Sequence, residues 1–143
     1  MKATELQIGD WVNLSDVPDG IIPCKVVELH TDELLVIEPS DTACDVVGYD
    51  MVFPIPLTAE ILEKNGFKMV KYDGWVHYYS IPAQGGLPFV IHSMIGGEML
   101  SDEVESYSTS TNDSCGIDID YVHELQRALR CCGLWVLANN FVI

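Results

Sequence analysis

The chain has 143 residues, 48% hydrophobic and 20% charged, with a formal net charge of −15 from 22 acids against 7 Lys and Arg. That length and apolar fraction are enough for one ordinary domain, or for two small subdomains sharing a core, and they exclude a chain disordered throughout. The shortage of cations argues against a nucleic-acid surface, since such binding is driven by Lys and Arg displacing phosphate counterions. Most of the acidity is in the first third: residues 1–53 carry 11 acids and 2 bases, residues 54–100 carry 4 and 3, and residues 101–143 carry 7 and 2. An acidic face either attracts a basic protein surface or keeps the protein in solution.

Leu6 to Val12 alternates, passes a Gly9-Asp10 step and resumes with Trp11, the pattern of a strand bending into a small curved barrel. Pro18-Asp19-Gly20 signals a turn, Lys25 to Leu29 a strand, Thr31-Asp32 a turn and Leu34 to Ile37 a further strand. Ser40 to Asp45 is polar and Val46 to Pro54 extended. Several short strands with tight turns in residues 1–56 predict a small SH3-like β-barrel.

Pro54 to Phe67 spells a helix over residues 58–65 with both ends marked. Thr58 is placed to accept from an orphan N–H at the helix start, and Leu57 and Leu62 stand at the two positions of a hydrophobic staple. Glu60 and Lys64 suit the positive and negative helix ends, and Gly66 can take the left-handed conformation that folds Phe67 back on Leu62.

Two strand-like runs, Phe67–Tyr72 and Trp75–Ile81, flank Asp73-Gly74 and predict a hairpin over residues 67–81. Trp75, His77 and Tyr79 then share one face. Phe89 to Met94 is a third strand, and Gly96-Gly97 turns toward Glu98 to Leu100. Ser101 to Gly116, rich in Ser and Thr, reads as a loop. Residues 118–132 are predicted to be an amphipathic helix, capped by Asp118 or Asp120, with Tyr121, Val122, Leu125, Ala128, Leu129 and Cys132 in its apolar stripe and Gly133 ending it. The tail Trp135–Leu137 and Phe141–Ile143 is too apolar to stay in water. It is expected to dock on its own chain as a strand or behind an Asn139-Asn140 turn, which makes the protein a monomer; a homodimer through the tail is the alternative. The fold class is therefore α+β: a small barrel in residues 1–56, then a region of residues 57–143 with a short capped helix, an antiparallel sheet and a C-terminal amphipathic helix, packed as one compact unit.

Cys24, Cys44, Cys115, Cys131 and Cys132 are odd in number and irregular in spacing. MKATELQIGDW has no apolar core of a signal peptide, and no run of 18 apolar residues occurs. Free thiols in a reducing cytoplasm are the expectation, with no membrane and no nucleic acid as partner.

LQIGDWV, PIPLTAEILEKNGF and YVHELQRAL together resemble an uncharacterised family of short proteins from gut anaerobes, their phages and mobile elements, whose wording is LRIGNWV, PIPLTEEWLLKFGF and KYVHQLQNLYFALTGEEL. The resemblance covers most of the chain. It carries no established activity and supplies no catalytic residue. The chain departs from it in CCGLWVLANNFVI after the second helix and in a longer Ser/Thr stretch from Ser106.

His123 and Arg127, one turn apart, share a helix face, and Trp75 and His77 share a strand face; these four are the candidate surface residues. None is assigned a catalytic role, because a general base needs a partner that spacing cannot place. His77 and His92 fall on neighbouring strands, but without CxxC or HxxxH spacing no metal ligand and no cofactor is assigned. Cys131-Cys132 points in two directions on a helix, one thiol packed and one partly exposed. Asp118-x-Asp120 and the Asp16–Gly20 loop lack the calcium-loop pattern, and no Walker loop, dinucleotide fingerprint or G-x-S-x-G occurs. Three functions remain open. The favoured one is a non-enzymatic accessory protein that binds another protein. The others are an acidic mimic of nucleic acid that inhibits a host protein, and an enzyme with a site near His123.

Overall fold

A computed structural model describes the backbone of residues 1–16, 20–72, 75–79, 90–95, 104–110 and 117–143, and the side chains of residues 1–15, 20–69, 91 and 119–143. The chain is α+β and divides into two compact units, Met1–Pro56 with Tyr121–Ala128, and Leu57–Asp120 with Leu129–Ile143. Residues 121–128 therefore go with the N-terminal unit.

The first unit is an open antiparallel sheet of β1 (Trp11–Asp16), β2 (Gly20–Leu29), β3 (Glu33–Ile37), β4 (Asp45–Gly48) and β5 (Val52–Pro54). Its order is β4-β3-β2-β1-β5, so the two outer strands follow each other in the chain, joined by a single 3-10 turn at Tyr49–Met51. The strands alternate, and one set of side chains forms the core: Val12 and Leu14, Cys24 and Val26, Leu34 and Val36, Val47 and Val52, with Leu6 added from the N-terminal segment. A register shift between Val26 and Glu28 bends β2 against β3.

Leu6 to Asp10 is not a strand. Asp10 N–H donates to Gln7 C=O (3.1 Å), Gln7 N–H donates to the Asp10 carboxylate (2.8 Å), and Gly9 sits at φ 89°. The Gly-Asp step, expected to bend a strand, instead makes a turn with positive φ at its third residue, a position that favours glycine. The extended run expected over residues 46–54 is likewise split by the 3-10 turn.

The second unit contains α1 (Ala59–Lys64) and a second five-stranded antiparallel sheet, β6 (Lys68–Tyr72), β7 (Trp75–Tyr79), β8 (Val90–Ile95), β9 (Val104–Ser110) and β10 (Ile117–Ile119), in order β10-β9-β8-β7-β6. Thr58 Oγ1 accepts from Ile61 N–H (3.3 Å), while Phe67 N–H reaches Leu62 C=O (3.0 Å) and Gly66 N–H reaches Glu63 C=O (2.9 Å), with Gly66 at φ 79°. Leu57, Leu62 and Phe67 are all buried. The capping signals thus place both ends as expected.

Three expectations need correction. The Ser/Thr stretch read as a loop contains β9, which pairs with β8 and β10; Val104, Tyr107 and Thr109 are strand formers, and pairing on both sides supplies what composition alone cannot. The second helix, α2, is Val122–Cys131, because Ile117–Ile119 is strand β10. At its start Tyr121 N–H donates to the Glu124 carboxylate (3.1 Å). Residues 135–137 are not a strand but the start of α3 (Trp135–Asn139), since Gly133 (φ 78°) closes α2 with Leu134 N–H on Leu129 C=O (2.8 Å) and turns the chain into a new helix. Ala138 and Phe141 are buried while Trp135, Val136 and Val142 are exposed, and Asn65 holds Val142 through both backbone groups (2.9 and 2.6 Å). The loop Asp73-Gly74 and residues 96–103 lie outside the described residues.

Candidate functional site

The first unit carries two candidate regions. One is the polar face of residues 121–128. Val122 and Leu125 put their side chains in the core, and His123 and Gln126, three residues apart and so on a common face, are buried too. Gln126 Oε1 accepts from Trp11 N–H (2.9 Å) and Gln126 Nε2 donates to Gly9 C=O (3.0 Å), so one amide satisfies both backbone groups where the turn becomes β1. Arg127 donates from Nη2 to the carbonyls of Thr4 and Glu5, at the end of the 3-10 turn Ala3–Glu5. Val122 N–H donates to Ile55 C=O (2.9 Å), and Pro56 bridges Tyr121.

His123 stacks on Tyr121 with ring centroids 5.9 Å apart. Burial pushes its pKa below the usual histidine value, assisted by Arg127 and opposed by the carboxylates of Glu124, Asp10 and Glu5. Its Nδ1 is buried with no partner among the described residues. The imidazole is therefore held neutral. Of the four candidates named from the sequence, His123 is buried and Arg127 half-buried, and the two do share a face. Trp75 and His77 stand on β7, with side chains outside those described. Sequence reasoning missed Asp10 and Gln126. The signal for Gln126 was its place three residues after His123 on a helix whose apolar stripe lies alongside.

The second region is the sheet edge at β4. Residues 28–50 hold seven acids, Glu28, Asp32, Glu33, Glu38, Asp41, Asp45 and Asp50, and neither Lys nor Arg. All but Glu38 are exposed, and Val46 on β4 is 58% exposed. Glu33 lies opposite Gly48 in the ladder, and a Cβ on Gly48 would stand 2.5 Å from Asp50 Oδ1. The Asp50 carboxylate therefore takes the place of a side chain at Gly48, one strand out from Glu33. The other edge is shorter: β5 has three residues and ends in Pro54, which cannot donate to a further strand.

The cysteines add no common centre among the described residues. Cys24 is buried, and burial, with Glu38 and Asp45 nearby, raises its thiol pKa to about 11. Cys131 and Cys132 are both exposed, against the expectation that one would pack, because the helix ends between them. No group of three or more His, Cys, Asp or Glu among the described residues is placed to hold a metal, and no helix there is long and apolar enough to cross a membrane. Comparisons with protein-family models, curated proteins and solved structures returned no match.

Proposed function

We propose that this is a non-enzymatic protein-interaction protein whose first unit takes an extended, basic segment of another protein as an added strand on β4. The observation that carries this is the asymmetry of the sheet edges. An outer strand offers a row of backbone donors and acceptors, and proteins usually blunt it with Lys, Pro or a bulge. β5 ends in proline, whereas β4 has none of these and carries exposed Val46. Strand addition draws affinity from main-chain hydrogen bonds and specificity from alternate side chains. Here those side chains would meet Val46 and, one step along, the Glu33 and Asp50 carboxylates. Pairing of β4 with a second copy is disfavoured, since it sets like charges against each other. The order β4-β3-β2-β1-β5, with a 3-10 turn between the outer strands, supports reading this unit as an SH3-like barrel. The polar face around His123 supports a non-catalytic reading, because Gln126 and Arg127 are engaged with backbone groups that position β1 and the N-terminal turn.

The test is anisotropy of a labelled peptide of alternating Lys and Val, against one of alternating Glu and Val. The basic peptide should bind at low salt and weaken as the screening length falls from about 10 Å at 0.1 M to about 3 Å at 1 M. Glu33→Gln with Asp50→Asn should weaken it by roughly fivefold to thirtyfold, taking about 0.5–1 kcal/mol for each lost surface charge contact. Equal binding of both peptides, or no loss in the double variant, would remove the basis for this function.

A further inference from the structure

Cys131 closes α2 and Cys132 follows it, and both side chains are exposed. Gly133 (φ 78°) then turns the chain, with its N–H on Arg130 C=O (3.0 Å) and Leu134 N–H on Leu129 C=O (2.8 Å), so the backbone around the pair is fixed while both thiols stay at the surface. We propose that Cys131 and Cys132 are a chelating dithiol site for a trivalent, thiophilic arsenic or antimony species. The two thiols form no centre by themselves; the ligand assembles one. Exposed side chains exchange rotamers freely, so neither thiol has to leave a packed position to meet its neighbour. The two already sense each other, because partial burial and then the Cys131 thiol beside it raise the pKa of Cys132.

The number and spacing of the donors select the ligand. Among the described residues no third His, Cys, Asp or Glu joins the pair in a group placed to hold a metal, and two donors do not make the closed four-ligand shell of structural zinc. A trivalent arsenic that carries one organic group needs two sulfurs. A direct disulfide is opposed by length: the trans peptide between the two residues sets their Cα atoms about 3.8 Å apart, short of the roughly 4.4–6.8 Å of a disulfide. One arsenic between the sulfurs adds an atom to the ring and, being pyramidal, holds both sulfurs on one side. With phenylarsine oxide the step is a condensation. Two S–H bonds and the arsenic–oxygen bonding break, two As–S bonds form, and the oxygen leaves with both protons as water, with no change of oxidation state. Both thiols enter protonated, so the raised pKa of Cys132 does not oppose the product.

The test is phenylarsine oxide added to the reduced full chain, read by native mass spectrometry and by the count of free thiols. One phenylarsenic group per chain with loss of two thiols is expected, removed by dimercaptopropanol and retained in the same concentration of mercaptoethanol. Cys131→Ser and Cys132→Ser should each weaken binding by roughly hundredfold or more, the gain that tethering a second contact brings, and the double variant little further. Both positions are exposed, so serine leaves the packing intact. Cys44→Ser with Cys115→Ser should leave stoichiometry and affinity unchanged. An adduct that keeps the parent's affinity in either single variant, one that is lost with Cys44 or Cys115, or arsenicals held by single thiols would each overturn the proposal. None of these outcomes depends on the β4 edge.

Discussion

Replacing Gln126 by Leu removes both of its backbone contacts. Trp11 N–H loses its 2.9 Å acceptor in a buried position and Gly9 C=O loses its 3.0 Å donor in a partly buried one. An unsatisfied buried donor costs about 1–3 kcal/mol, and the half-wet carbonyl about 0.5–1 kcal/mol, since water can replace part of its bond. The sum is roughly 1.5–4 kcal/mol, to which the shorter, γ-branched leucine adds a packing cost. With a urea dependence of about 1–3 kcal/mol per molar, the midpoint of the first unit should fall by roughly 0.5 M or more. Hydrogen exchange at the Trp11 amide should speed up with it. Gln126→Glu should also destabilise, since its carboxylate can accept from Trp11 but cannot donate to Gly9. A midpoint for Gln126→Leu within experimental error of the parent would refute the claim that this amide seats residues 121–128 on the turn before β1.

Other outcomes follow from the same structure. Leu62→Ala should cost about 2–5 kcal/mol by urea unfolding, because Leu62 is fully buried and its carbonyl accepts the closing bond of α1. His123 has a folded pKa below its unfolded value of about 6.5, so its contribution to stability is complete above that pH and is lost as pH falls from there toward the folded pKa. His123→Gln should flatten the pH dependence of the midpoint in that window, and an unchanged slope would place the imidazole in water. Iodoacetamide with peptide mapping should modify Cys44, Cys131 and Cys132 in the native protein and Cys24 only on unfolding, given its burial and a thiol pKa of about 11.

How much of this was legible in the sequence depended on how local the physics was. The ends of α1 could be read residue by residue, since Thr58, Gly66 and Phe67 act within one turn of the backbone they cap. The β6–β7 pairing was readable for the same reason, as its two runs flank Asp73-Gly74. β9 was missed because a Ser/Thr run becomes a strand only once β8 and β10 bracket it, and α3 was missed because the unbroken apolar run from Leu134 to Ala138 has no period. The site followed the same division. His123 and Arg127 were found on one face, but Gln126 earns its role from Gly9 and Trp11, 117 and 115 residues away. The acidity of the first third was plain, but that part of it lies around the β4 edge follows only from the strand order.

The most direct measurement of the central claim is amide hydrogen exchange across the first unit with and without the alternating Lys and Val peptide. If β4 receives an added strand, exchange slows at outward-facing amides within Asp45–Gly48, by a factor that grows with peptide concentration and disappears in 1 M salt, while β5 is unchanged. Protection that instead appears at Trp135 and Val136, or nowhere in β4 while the peptide is bound, would contradict the account.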